Sequence, residues 1–153
     1  MRMTMRSAKL DDARQLLEWR NSSSAREFSQ NSELIQIEGH LAWLSERLER
    51  ILFEPFHVFE LNHELVGMSR LDFESAGHFE ISILVAPDHQ GKGVGARILN
   101  MTCKNFFELH SSYAILAKVH HFNFISQKLF VNAGFVLQNS ASEFFCYKKN
   151  NLD

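Results

Sequence analysis

The sequence predicts one mixed α/β (α+β) domain with the element order β-α-α-β-β-β-α-β-α-β-β. Three observations carry that expectation. A β-rich run, Phe79-Glu80-Ile81-Ser82-Ile83-Leu84-Val85, closed by Ala86-Pro87, leads into a glycine cluster at 91, 93 and 95. A helical pattern follows at once, with Val94, Ile98, Met101 and Asn105 three and four residues apart. At 153 residues the chain suits a single domain, 1–153, with a real core, and no repeat, low-complexity segment or linker divides it.

Each element has its own signal. Residues 2–7 alternate and suit a first strand. Residues 10–20 carry Ala13, Leu16, Leu17 and Arg20 at helical spacing, with Asp11 and Asp12 favourable in the first turn. Residues 21–32, rich in Ser and Asn, read as a loop. Ile37, Leu41, Leu44, Leu48 and Ile51 give a second amphipathic helix, ended by Pro55. Residues 56–61 and 64–73 form a hairpin turning near Asn62-His63, although the Asn-Gly signal of a tight turn is missing. Ser75-Ala76-Gly77 turns the chain into the strand 78–85. After the glycine loop come a helix to about 108, a strand at 113–119, a helix at 124–133, and strands near 135–138 and 143–148.

Strand, glycine loop and helix together turn backbone N–H groups toward an anion. First-turn helical N–H groups have no internal partner, and the dipole favours negative charge there. Gln90-Gly91-Lys92-Gly93-Val94-Gly95-Ala96 is therefore expected to hold a pyrophosphate. A Walker A loop, G-x-x-x-x-G-K-[ST], fails because position 86 is Ala and position 93 is Gly. The dinucleotide pattern G-x-G-x-x-[GA] matches at Gly91, Gly93 and Ala96, but that turn normally follows the first strand of a long α/β domain, and too little chain follows Ala96.

The string Val85-Ala86-Pro87-Asp88-His89-Gln90-Gly91-Lys92-Gly93-Val94-Gly95 resembles the acetyl-CoA signature V-x-P-x-x-[QR]-x-x-G-x-[GA] of the GNAT superfamily of N-acetyltransferases. Downstream, Asn123-Phe124-Ile125-Ser126, Leu129-Phe130 and Ala133-Gly134-Phe135 are similar to that family's N-x-x-[AS]-x-x-x-[YF]-x-x-x-G-F block. The resemblance spans the chain and is specific from about residue 64 to residue 136. It implies a mixed, mostly antiparallel sheet with helices on both faces. In the family a bulge splays the fourth strand from the fifth, and the pantetheine arm of acetyl-CoA lies in the gap. It further implies that the Val85 backbone, with Leu84 beside it, faces pantetheine and acetyl group, and that Gln90 through Ala96 wrap the pyrophosphate. Lys92 adds charge there or is simply solvated. Asn123 contacts the pantetheine arm or caps the last helix, an Asn-favoured place. Ser126 touches the cofactor or allows close approach.

Composition excludes other classes. Sixteen basic and 18 acidic residues leave a net charge of −2, with no basic tract for nucleic acid. The 14 phenylalanines point to core. Cys103 and Cys146 lack metal-type spacing and read as free thiols of a reducing cytoplasm. No apolar stretch approaches membrane-span length, and the N-terminal residues lack a signal-peptide core. A cytoplasmic monomer or homodimer without a metal is expected. His120 and His121 are strand neighbours that face opposite ways, poor joint ligands.

The implied chemistry is attack of an amine on a thioester, which needs a base and an oxyanion donor. Glu80 is the candidate base, with a solvated strand carboxylate as the plain alternative, and His78 and Asp72 are fallbacks. Lys118 stands where some family members carry a glutamate on the fifth strand, which weighs against protein N-termini as acceptors. Phe130 replaces the Tyr whose hydroxyl protonates the leaving thiolate in many members, so no general acid is assigned; a thiolate with a pKa of roughly 8–9 can leave unprotonated. Trp19-Arg20-Asn21 with Arg26, and His40-Leu41-Ala42-Trp43, resemble a W-R-N…H-x-x-W pattern of pseudaminic-acid-type amino-sugar N-acetyltransferases; W-R-N also occurs in ribosomal-protein N-acetyltransferases. Arg20, Asn21, Arg26 and Arg70 are thus candidate acceptor contacts, with arginines suited to bidentate phosphate binding. Other amines, or a non-catalytic acyl-CoA sensor, remain open at this level.

Overall fold

Alternating apolar residues on the strands and three-to-four-spaced apolar residues on the helices build a sheet covered on both faces. The computed structural model describes residues 2–151. Its strands are β1 (Met3–Ser7), β2 (Phe56–Leu61), β3 (Glu64–Ser75), β4 (His78–Val85), β5 (Ala114–His120), β6 (Val136–Ala141) and β7 (Phe144–Lys149). They form one sheet in the order β1-β2-β3-β4-β5-β7-β6. Every neighbouring pair is antiparallel except β4–β5, which is parallel. The helices are α1 (Ala13–Asn21), α2 (Ser23–Glu27), α3 (Ile37–Leu48), α4 (Val94–Leu109) and α5 (Phe124–Asn132).

One face of the sheet packs on α4 and α5 through Phe79, Ile81, Leu99, Phe106, Ile115, Ala117 and Phe130. The other packs on α1 and α3 through Leu16, Trp19, Leu44, Phe56, Val58 and Met68. Each fully buried aromatic or aliphatic side chain of this kind stabilises the fold by about 1.5–3 kcal/mol. The hairpin turn falls at Asn62 (φ 50°) and His63 (φ 66°), the two left-handed positions a two-residue turn demands. It forms without a glycine.

The expected order holds, with three corrections. Residues 21–32 are not all loop: α2 forms there, capped by the Ser22 hydroxyl, which accepts from the Ala25 N–H at 3.3 Å. The buried stripe of α3 is His40, Leu44 and Arg47, whereas Leu41 is exposed. On α1 the stripe is Ala13, Leu16 and Trp19. Arg47 can lie inside because Asp72 accepts from its Nε at 2.7 Å and the carbonyls of Glu54 and Leu71 accept from its Nη atoms at 2.7 and 3.0 Å. Finally, β4 pairs with β3 without a register shift from Phe79 to Val85. β4 and β5 therefore part beyond Glu80 without a bulge in β4 against β3.

Gly67 sets how closely α4 approaches the sheet. A Cβ there would lie 2.5 Å from Ile98 Cδ1 and 2.6 Å from the Leu84 carbonyl oxygen. The carbonyl belongs to the ladder and cannot swing away. Gly67→Ala is expected to cost about 1–3 kcal/mol of stability by overpacking, read as a lower urea midpoint; an unchanged midpoint would show that both α4 and the β3–β4 ladder give way freely.

Candidate active site

The parallel β4–β5 ladder is short. His78, Phe79 and Glu80 face Ala114, Ile115 and Leu116 in register; beyond them β4 continues to Val85 and β5 to His120 unpaired with each other. The sheet is thus open on one side of Glu80. Ala86 N–H donates to the Val66 carbonyl at 2.8 Å while Val85 stands opposite Gly67. In an antiparallel ladder that makes Gly67 and Val85 a pair without mutual hydrogen bonds, so the Val85 N–H and C=O turn away from β3, into the gap. The Val85 carbonyl accepts from Gln90 Nε2 at 3.3 Å. Leu84 differs: its main chain faces β3 opposite Met68, and its side chain packs on the α1–α3 core.

The loop at the mouth of the gap is shaped by Gly91 (φ 75°) and Gly93 (φ 78°), conformations that side chains resist. Gly93 is the N-cap of the 16-residue α4, without a side-chain cap, and its carbonyl receives the Arg97 N–H at 3.3 Å. The N–H groups of Val94, Gly95 and Ala96 are thereby left without helical partners at the positive end of the dipole. Val94 anchors this end by burying its side chain with Ile98. Gly95 lies under Val85 and Leu129, and Lys92 is exposed.

Across the gap, Asn123 caps α5: its Oδ1 accepts from the Ser126 N–H at 3.2 Å. Ser126 is half-buried. Phe130 lies in the core, edge-on to Phe135 at 5.0 Å between ring centres.

Glu80 sits at the fork on the α1–α3 face. Its carboxylate lies 3.1 Å from Lys118 Nζ, which also lies 3.5 Å from Glu74. Burial opposes the charge on Lys118, but the Glu80 and Glu74 carboxylates outweigh it and raise the pKa. Ser82 follows on the same face, in register with Arg70. The Arg70 guanidinium lies 5.1 Å from the Trp43 ring centre and donates to Asp72 at 2.9 Å. Burial lowers the Arg70 pKa, with Asp72 and Glu80 supporting the charge and Arg47 opposing it. Asp72 is held between Arg47 and Arg70, so a proton acceptor's role there would cost two ion pairs. Arg20 donates to the Asn31 carbonyl, and its Nη1 is buried with no hydrogen-bond partner among the described residues. Burial lowers its pKa, and Arg70 and Arg26 add to the effect. Asn21 spends both ends of its amide on the Ile35 backbone, each at 2.9 Å.

The structure therefore brings Val85 and Gln90–Ala96 to one lip of the gap, Asn123 and Ser126 to the other, and Glu80, Arg70 and Arg20 to the α1–α3 face. Sequence reasoning missed Gly67, the Lys118 partner of Glu80, and an aromatic contact between Phe28 and His120 at 5.3 Å. Gly67 had a local signal, a lone glycine inside a strand pattern; the other two are contacts between distant segments.

A parallel strand pair that parts beside a glycine-capped helix is the arrangement that the resemblance to acyl-CoA-dependent N-acyltransferases implies. The sequence model of the acetyltransferase (GNAT) domain matches residues 2–136. The chain belongs to that family, as an acetyl-CoA-dependent N-acetyltransferase. Solved structures share the fold. The yncA protein of Salmonella typhimurium, solved with its cofactor acetyl-CoA, is 22% identical with a TM-score of 0.82, covering 100% of this chain and 96% of that one. The ribosomal-protein-S5-alanine acetyltransferase of Vibrio fischeri is 19% identical with a TM-score of 0.84, covering 100% and 95%. A spermidine N-acetyltransferase chimera from Vibrio cholerae and hSSAT is 19% identical with a TM-score of 0.84, covering 99% and 96%. No curated protein matches the chain.

Proposed function

We propose that the chain transfers acetyl from acetyl-CoA to the primary amine of a small acceptor bearing an anionic group, a nucleotide-linked amino sugar being the fitting class. The observation that carries this reading is Arg70. It stacks on Trp43 and lies within electrostatic reach of Arg20 and Glu80. A cationic anchor and an aromatic plane thus stand beside the candidate base. The likeness to proteins named for a ribosomal protein and for spermidine does not choose the acceptor, because the fold is common to both. A polycation would meet Arg20, Arg26 and Arg70.

In this reading the pyrophosphate lies against Gln90, Gly91, Lys92, Gly93, Val94, Gly95 and Ala96. The pantetheine arm lies between Val85, with Leu84 behind it, and Asn123, Ser126 and Phe130. The amine nitrogen attacks the thioester carbonyl carbon, its proton passes to Glu80 directly or through water, and the C–S bond breaks. Phe130 offers no proton, so CoA leaves as the thiolate, acceptable for a thiol of pKa roughly 8–9. Arg20 and Arg70 hold the anion, and Asn21 shapes the pocket by pinning Ile35.

The test is CoA release with UDP-linked amino sugars, polyamines and peptides, in the wild type and in Arg70→Met. Turnover is expected with an amino sugar. Arg70→Met is expected to raise its KM by about 10–100-fold, the worth of a charge-assisted hydrogen bond, and to leave a neutral amine unaffected. Faster turnover of peptides or polyamines would overturn the acceptor class. Acetyl-CoA binding without turnover on any acceptor would favour a sensor.

A further inference from the structure

The Ser/Asn-rich stretch between α1 and α3 is held more firmly than its composition suggests. Ser22 caps α2, Asn21 clamps Ile35, and Arg26 Nε donates to the Ser32 carbonyl at 2.9 Å. The two ends of α2 touch opposite lips of the gap. Near its start, the Ser24 hydroxyl accepts from Gln90 Nε2 at 3.3 Å, and the same nitrogen holds the Val85 carbonyl at the end of β4. At its end, the Phe28 ring meets His120, the last residue of β5, at 5.3 Å. Four helical residues advance about 6 Å, more than the roughly 4.8 Å between paired strands, so the span suits strands that have parted.

His120 continues the contact. Its ring is edge-on to Phe144 of β7 at 5.4 Å and tilted against Phe122 at 5.7 Å, and its Nδ1 accepts from the Phe122 N–H at 3.1 Å. Nδ1 is thus occupied as an acceptor, which fixes the ring plane. Phe28, His120 and Phe144 form one continuous aromatic wall from α2 over β5 to β7, on the face that carries Glu80, Arg70 and Arg20.

We infer that α2 is a strap across the mouth of the β4–β5 gap, and that Phe28 seals the acceptor site on its β7 side and so limits acceptor length. An acceptor then enters from the side of Arg20, Arg70 and Trp43 and ends against the Phe28–His120 wall. A peptide N-terminus needs a groove in which the chain continues past the reacting amine; the wall closes that exit. The inference rests on the acetyltransferase reading of the gap and deepens it by making Phe28 the residue that favours small acceptors over polypeptides.

The test uses conjugates in which CoA sulfur carries an acetyl bridge to ethylamine, to glucosamine or to the N-terminus of a hexapeptide, so the natural acceptor need not be known. Calorimetry on the wild type is expected to show the hexapeptide conjugate binding at least about tenfold more weakly than the ethylamine conjugate, a gap of about 1.4 kcal/mol. Phe28→Ala, and independently His120→Ala, which removes the other half of the contact, are expected to close most of that gap. Affinity for the ethylamine conjugate should stay within about twofold, below 0.5 kcal/mol. Equal binding of large and small conjugates to the wild type, or an unchanged ratio in both variants, would overturn the sealing role alone. An ethylamine conjugate that fails to bind while CoA does would overturn the placement of the thioester in the gap, and the inference with it.

Discussion

Glu80→Gln is expected to lower kcat/KM for the acceptor amine by about 10²–10⁴-fold, the usual contribution of a positioned base, while the affinity for acetyl-CoA stays unchanged. The substitution keeps the side chain's shape and an oxygen for Lys118, so the β4–β5 fork should keep its geometry. What is lost is a site for the amine's proton. Lys118 cannot take over, because its raised pKa keeps it an ammonium at neutral pH, 3.1 Å from Glu80. Asp72 cannot take over either without releasing Arg47 or Arg70. The loss should appear in kcat with little change in the acceptor KM. Steady-state rates across pH 5–9, beside acetyl-CoA titrations, make the measurement. A variant with wild-type rates would move the base to His78 or to bulk water.

The site divides into parts that the sequence shows and parts it hides. The strand 78–85, the loop and the start of α4 are legible because each rests on local rules: alternation, glycines at left-handed positions, and a three-to-four repeat. The glycine-loop lip of the gap is therefore visible from residues 79–96 alone. The α1–α3 face around Glu80 is not, because it is built by tertiary contacts. A count of apolar residues on α3 selects Leu41 and passes over His40 and Arg47; the Arg47 partner Asp72 lies 25 residues away. Glu80 reads as a lone carboxylate until β5 brings Lys118 against it. The helix α2 hides in a polar stretch whose Ser22 cap is a signal, but five residues are too few for a periodic pattern. Phe28 looks like one more core phenylalanine until it is found on His120.

Arg47→Met is expected to destabilise the fold by about 3–5 kcal/mol, the cost of removing one partner from a buried ion pair. Arg47 is 1% exposed. Its guanidinium serves Asp72, the Glu54 and Leu71 carbonyls and, more distantly, the Pro55 carbonyl at 3.4 Å, with Phe56 5.6 Å from its Cζ. Methionine fills much of the stem's volume but supplies no donor, so the Glu54 and Leu71 carbonyls lose their partner in a nearly dry space, and the part-exposed Asp72 loses one of its two arginines. The damage should reach the acceptor site. Freed from Arg47, Asp72 is left to Arg70 alone, and a tighter Arg70–Asp72 pair offers less positive charge to an anionic acceptor. Urea unfolding should show the stability loss, and the acceptor KM should rise while the acetyl-CoA KM does not. Asp72→Asn should cost less in the Arg47→Met background than in the wild type, because one of the two ion pairs is already gone, a coupling that a double-mutant cycle measures directly. A single-variant loss below about 1 kcal/mol, within the range of ordinary surface pairs, would mean that water or a neighbour replaces the guanidinium. It would also mean that α3 does not hold the acceptor face through Arg47.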